Sequence, residues 1–263
     1  MHQDAGRAHI VQRLADLLGA VERPHPVRVA IDGRSGAGKS ILGDELAALL
    51  RPLRPVIRAS VDDFYGLWLD KRNRRSLSAE AFYTDAYDYP ALRSLLLAPL
   101  GLGGSRRYRS RWHDGWNEGE IAAPELVAPD AALLLVDGVF LLRPELRDCW
   151  DVCIFMDVDA EQSLLRGVER DATLDEPAVR ASRRADRVRV YRERYLPADD
   201  RYLSAVDPSS LADIIVDNRI LESPRLTPTA TLPALDSCGA STVATSSPTV
   251  NGWERSTNVK VSL

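Results

Sequence analysis

Gly33-Arg34-Ser35-Gly36-Ala37-Gly38-Lys39-Ser40 satisfies the pattern GxxxxGK[ST] in full. Its flanks agree with it. Upstream, Val27-Arg28-Val29-Ala30-Ile31-Asp32 is a short β-branched apolar run that reads as a buried parallel strand. Downstream, residues 40–50 carry apolar positions at helical spacing. Strand, glycine loop and helix thus follow one another in the order that phosphate binding needs. Glycine lets the backbone wrap an anion with its N–H groups turned inward, and the helix offers the positive end of its dipole to the same charge. The pattern gives Lys39 the β- and γ-phosphates and the Ser40 hydroxyl a Mg²⁺ ion. Gly33, Ser35, Gly36, Ala37, Gly38, Lys39, Ser40 and Ile41 are therefore the expected nucleotide-binding set, with ATP or GTP and Mg²⁺ as cofactors.

The chain's 263 residues carry a net charge of −4, which gives no global basic character to suggest nucleic acid or an anionic membrane as the main partner. Cys149, Cys153 and Cys238 have neither zinc spacing nor a CxxC pair, so reduced thiols and a cytoplasmic location are expected, with Cys153 in the core. No apolar run approaches the roughly eighteen residues of a membrane span, and the N-terminus lacks the pattern of a signal peptide.

Outward from the loop, residues 9–18 read as an amphipathic helix at the sheet edge. Residues 56–61, 133–136, 152–156 and 214–216 read as four further short strands. Five strands separated by helical pattern imply an α/β fold, a mainly parallel sheet flanked by helices. Residues 67–119 change character, with Lys71, Arg72, Arg74 and Arg75 followed by tyrosines and tryptophans. That stretch reads as an insertion forming a lid or acceptor site within a domain of residues 1–221. Residues 222–263 are dominated by Ser, Thr and Pro and read as a disordered tail.

In such sheets ligands sit at the carboxyl ends of the strands. There the chain places Asp62-Asp63-Phe64-Tyr65 after the second strand and Asp137-Gly138 after the third. Asp62 is the candidate general base, and Asp137 the candidate Mg²⁺ acid beside Ser40. Arg166 and Arg170 lie four apart on one helical face and could fork onto phosphate oxygens. Between residues 180 and 201 eight arginines stand against four acids. Most read as a solvated helix face, with Arg183, Arg184 and Arg187 as further phosphate candidates.

Taken in order, these motifs resemble the uridine kinase-like (phosphoribulokinase/uridine kinase) family of P-loop kinases. The matching pieces are residues 33–40, Asp62-Asp63-Phe64-Tyr65, Asp85-Ala86-Tyr87-Asp88, Val136-Asp137-Gly138, residues 166–171 and Ala212-Asp213-Ile214-Ile215-Val216. The resemblance spans about residues 27–218. It implies a P-loop NTPase fold, catalytic roles for Lys39, Asp62, Arg166 and Arg170, and an acceptor site with Tyr65 and Asp85 or Asp88. Departures fall on the substrate side. Arg111-Trp112-His113-Asp114 replaces the family's Tyr-Asp-Phe, with His113 a candidate for base or sugar, Asp137 shortens a Glu, and Gly167 stands where the lid has a second arginine. The expected reaction moves a γ-phosphoryl group to the 5′-hydroxyl of uridine or cytidine. The alternatives are a kinase for another metabolite, such as pantothenate, nicotinamide riboside or a sugar acid, and a nucleotide-binding regulatory NTPase. The expected partner is a small molecule, and the reading admits a homo-oligomer.

Overall fold

The computed structural model describes residues 4–66, 78–112, 123–173 and 176–228. Helix α1 (Asp4–Gly19) leads into β1 (Val27–Gly33), the glycine loop and α2 (Lys39–Leu50). Strand β2 (Val56–Ser60) ends in a single 3-10 turn at Val61–Phe64, and α3 (Ala79–Asp85) follows. A two-stranded antiparallel ribbon pairs β3 (Arg107–Tyr108) with β4 (Leu126–Val127). The chain then re-enters the main sheet through β5 (Leu133–Asp137) and β6 (Val152–Asp157). Helices α4 (Ala160–Ala172), α5 (Pro177–Val190) and α6 (Leu196–Val206) precede β7 (Ile214–Asp217) and β8 (Arg225–Pro228).

The main sheet has the order β2-β5-β1-β6-β7-β8. Its first five strands are parallel, the number and direction expected from the apolar runs, and β8 adds an antiparallel edge. The expected disordered tail from residue 222 is corrected by that strand. Arg225 and Leu226 pair with Asp217 and Val216, so the backbone groups of β7 are satisfied beyond the expected boundary at 221. Residues 229–263 lie outside the described part.

Alternation along the strands splits the core into two layers. Val27, Val29 and Ile31 pack with Leu14, Leu18, Leu46 and Leu50 on one face. Ala30, Leu134 and Val136 pack with Leu92, Leu96, Phe140 and Tyr202 on the other. Helix α1 therefore lies against α2 over the sheet face, not at the sheet edge as its amphipathic pattern suggested. Cys153 is buried on β6, as its apolar neighbours imply. Of the expected insertion, residues 78–112 are described, and they supply an aromatic wall of Phe82, Tyr83, Tyr87 and Tyr89 packed against Phe140.

Candidate functional site

Register brings the strand ends together. Asp137 pairs with Ile31 on one side and Ser60 on the other, so the acid after β5 lies between the glycine loop and the Asp62 turn. Gly36 has φ +78°, and a Cβ there would stand 2.6 Å from the Ser163 carbonyl of α4, so the loop is threaded where only glycine fits. Lys39 is buried, and its Nζ donates to the carbonyls of Gly33 at 3.0 Å and Arg34 at 2.7 Å. Burial lowers its pKa, against the charges of Asp199, Asp32, Asp137 and Asp62 that surround it. Ser40 Oγ donates to Asp137 Oδ2 at 2.6 Å. The other carboxylate oxygen of Asp137 pairs with Arg58 Nη2 at 2.9 Å, so a guanidinium from β2 fixes which way this acid points. Ile41 turns its side chain to solvent at the start of α2.

Three groups behind the loop went unread in the sequence. Asp32 is fully buried, accepts the Gly33 N–H at 2.7 Å and a short bond from the Tyr202 hydroxyl, and is pushed by burial to about 6. Asp199, from α6, accepts the Ser35 N–H at 3.1 Å and is pushed by burial to about 7, with Lys39 opposing. Asn218, after β7, donates to the Ala37 carbonyl at 2.9 Å. Asp32 was in plain view as the residue preceding Gly33. Asp199 and Asn218 had no local signal, since their partners lie 164 and 181 positions away.

On the opposite side, Ser60 caps the turn that carries Asp62, and Asp63 closes the capping box. Arg111 donates to Asp63 at 2.8 Å, which ties the far end of the insertion to the same turn. The Asp62–Tyr65 and Asp85–Asp88 runs meet through Gly66 N–H to Ala86 at 2.8 Å and Asp88 N–H to Phe64 at 2.9 Å. Tyr87 donates its hydroxyl to Asp62 Oδ1 at 3.0 Å. Asp62 is open to solvent on one side, yet the protein around its carboxyl still raises the pKa, burial outweighing the Tyr87 hydrogen bond. Tyr65 stands edge-on to Tyr87 and accepts from Arg194 Nη2 at 3.1 Å. Asp88 caps the short turn Tyr89–Leu92 through the Ala91 N–H, and Asp85 is half-buried at the end of α3. His113 lies outside the described residues.

The two arginines of α4 do not fork onto one point. Arg166 donates to the carbonyls of Asn218 at 2.8 Å and Arg219 at 2.9 Å. Arg170 donates to Asp171 at 2.8 Å and to the Tyr191 hydroxyl at 3.2 Å, within electrostatic range of Asp62. Their stems are about one helical turn apart, and each guanidinium follows its nearest acceptor. Between them Gly167 makes room for Tyr191, whose ring a Cβ would meet at 2.2 Å. Arg183 and Arg187 line a cavity of about 240 Å³ with Asp171, Tyr191 and Tyr195, and Arg184 is exposed on α5.

No protein-family model matches the chain. It is 26% identical over 165 residues to a uridine kinase of Lactobacillus helveticus, covering 59% of this chain and 71% of that one. It is 26% identical over 155 residues to a uridine kinase of Alkaliphilus metalliredigens, covering 56% and 68%. The chain is similar to the uridine kinase-like P-loop kinases. Among solved structures, a possible uridine kinase from Bacillus stearothermophilus matches 78% of the chain and 96% of its own length, with TM-score 0.58 and 20% identity. The YGR205w protein matches 84% and 96%, with TM-score 0.54 and 14% identity. At those identities the two structures establish the shared α/β P-loop fold.

Proposed function

We propose that this chain is an NTP- and Mg²⁺-dependent phosphotransferase that moves a γ-phosphoryl group onto the hydroxyl of a small molecule. One observation carries the reading. Adjacent ends of β1, β5 and β2 hold Lys39, Asp137 and Asp62 in a single cluster of mutually interacting charges. Lys39 leaves its loop carbonyls for the β- and γ-phosphates, while Arg166 and Arg170 flank the phosphate chain. Asp62, its pKa raised toward neutrality, takes the acceptor's proton. Tyr65, Asp85, Asp88 and His113 line the acceptor side.

Ser40 and Asp137 fit a Mg²⁺ ion. Their oxygens are 2.6 Å apart at the foot of the loop, and among the described residues no cluster of three or more His, Cys, Asp or Glu ligands competes with them. Mg²⁺ keeps several waters and takes one or two protein ligands plus substrate phosphates, so such a sparse set suffices. When bound there, the ion would supply positive charge that offsets the charge of the phosphate chain.

The names of the curated relatives make the 5′-hydroxyl of uridine or cytidine the first acceptor to test. A second reading, a sugar acid or similar hydroxy acid, is favoured by the half-buried Arg194 beside Tyr65. The reaction is checked by ADP release from ATP with a panel of nucleosides and hydroxyl-bearing metabolites. Acceptor-stimulated release is expected, falling by about two to three orders of magnitude in Lys39→Ala. ATP hydrolysis that no acceptor stimulates would replace this reading with a regulatory NTPase. No helix among the described residues is long and apolar enough to cross a membrane.

A further inference from the structure

Arg194 lies in the widened turn Tyr191–Tyr195 between α5 and α6. Its guanidinium stands 5.1 Å from the Phe82 ring centre and 5.7 Å from that of Tyr195, and its Nη2 donates to the Tyr65 hydroxyl. Its Nε is buried without a hydrogen-bond partner. Every one of these neighbours is neutral. Arg7, Arg28, Arg34, Arg58 and Arg143, which are also largely covered, each hold a carboxylate: Glu45, Asp151, Asp200, Asp137 and Glu145 respectively. Arg166 satisfies itself on backbone carbonyls instead. Among the described residues, Arg194 is thus a half-buried cation on an aromatic platform that holds no carboxylate and leaves a donor unused.

Covering a charge is unfavourable unless an opposite charge and hydrogen bonds offset it. Ring faces and a single phenol hydroxyl offset only part of that cost. An anion would offset the remainder, and the position of Arg194 bears on which one. Tyr65, which Arg194 holds, stacks edge-on against Tyr87, and Tyr87 holds Asp62. Asp62 and Arg194 are thus the two ends of one chain of contacts through Tyr87 and Tyr65.

Resting on the kinase reading above, we propose that the acceptor carries an anionic group, a carboxylate or a phosphate, and that Arg194 selects it. A guanidinium presents only donors in a planar fork, which matches such a group and gains nothing from a neutral polyol end. A neutral nucleoside would leave Arg194 as poorly paired as it is now. The second acceptor class therefore stands ahead of the first at this position.

The test uses the full chain with Mg²⁺-ATP and matched acceptors: D-glycerate, glycerol 3-phosphate and glycerol; D-gluconate and sorbitol; pantothenate and panthenol; uridine and cytidine. An acid is expected to exceed its neutral twin in kcat/KM by at least about tenfold. The carboxylate and phosphate arms then separate the two kinds of anion. Arg194→Gln should raise KM for that acid by about 10- to 100-fold with a smaller change in kcat, and Arg194→Lys should recover part of the loss. Nucleotide binding and thermal melting report whether each variant has folded. If a nucleoside or a neutral twin serves as well as the acids, or if Arg194→Gln slows acid and twin equally, the proposal is overturned while the kinase reading stands. If no acceptor raises ADP release from a nucleotide-binding chain, both fall.

Discussion

The donor and acceptor halves of the site are built on opposite principles. Around the glycine loop the groups that shape the cradle are held by partners from several elements. Lys39 sits on two carbonyls, Ser40 and Arg58 share Asp137, Asp199 holds Ser35, and Asn218 holds Ala37. The acceptor half is a wall of aromatic rings, with the Asp62 carboxylate open on one side and a guanidinium, Arg194, that holds no carboxylate among the described residues. A phosphate chain is the same in every nucleotide, so its cradle can be prepaired and rigid. An acceptor is recognised by what the pocket lacks, and the unsatisfied group is the informative one.

The sharpest way to break this contrast is at Asp62, the group that joins the two halves. Asp62→Asn keeps the shape and the acceptance from Tyr87 but cannot take a proton. It should lower acceptor phosphorylation by about two to four orders of magnitude with little change in nucleotide affinity. The pH profile carries a second readout. Only the ionised carboxylate acts as base, and burial raises its pKa, so the acid limb of kcat/KM should fall away at higher pH than an ordinary carboxylate would give. Unequal loss of nucleotide binding in Asp62→Asn would place Asp62 in the donor half instead.

The donor half was legible in the sequence because its chemistry is local. Strand, glycines, lysine and serine are contiguous, and Asp62 and Asp137 each follow an apolar strand directly. The five parallel strands were legible for the same reason. β8 was missed because Arg225-Leu226-Thr227-Pro228 is too short and polar to stand out from the Ser/Thr/Pro-rich residues beyond it. Arg194 was hidden among eight arginines, and what distinguishes it is a half-buried guanidinium set on aromatic rings, which no spacing rule reports. Gly167 was read as a missing arginine. In the structure it is a contact, with the Gly36 turn on one side and the buried Tyr191 ring on the other. Gly167→Ala should therefore destabilise the chain by about 1–3 kcal/mol through overpacking, measured by denaturant unfolding. An unchanged midpoint would mean that Tyr191 swings clear of α4 at no cost, and that the lid packs more loosely than the donor half behind it.

The smallest effect expected is at Asp199, where the loop's own pairing can be tested without touching a nucleotide. Its pKa is raised from 3.8 to about 7, so the folded chain holds this proton more tightly than the unfolded one. The stability it contributes is present below about pH 4 and is lost as pH rises toward 7. Asp32, raised to about 6, adds a slope of the same sign over a narrower window. Asp199→Asn retains an oxygen for the Ser35 N–H and removes the titration. The variant should then gain on the parent as pH rises from 4 to 8, as read from melting temperature against pH. The gain follows the separation of the two pKa values, in which the attraction of Lys39 for the carboxylate is already counted. Parallel profiles for parent and variant would show that Asp199 is already screened by solvent, and the donor half would then be less sealed than its hydrogen bonds imply.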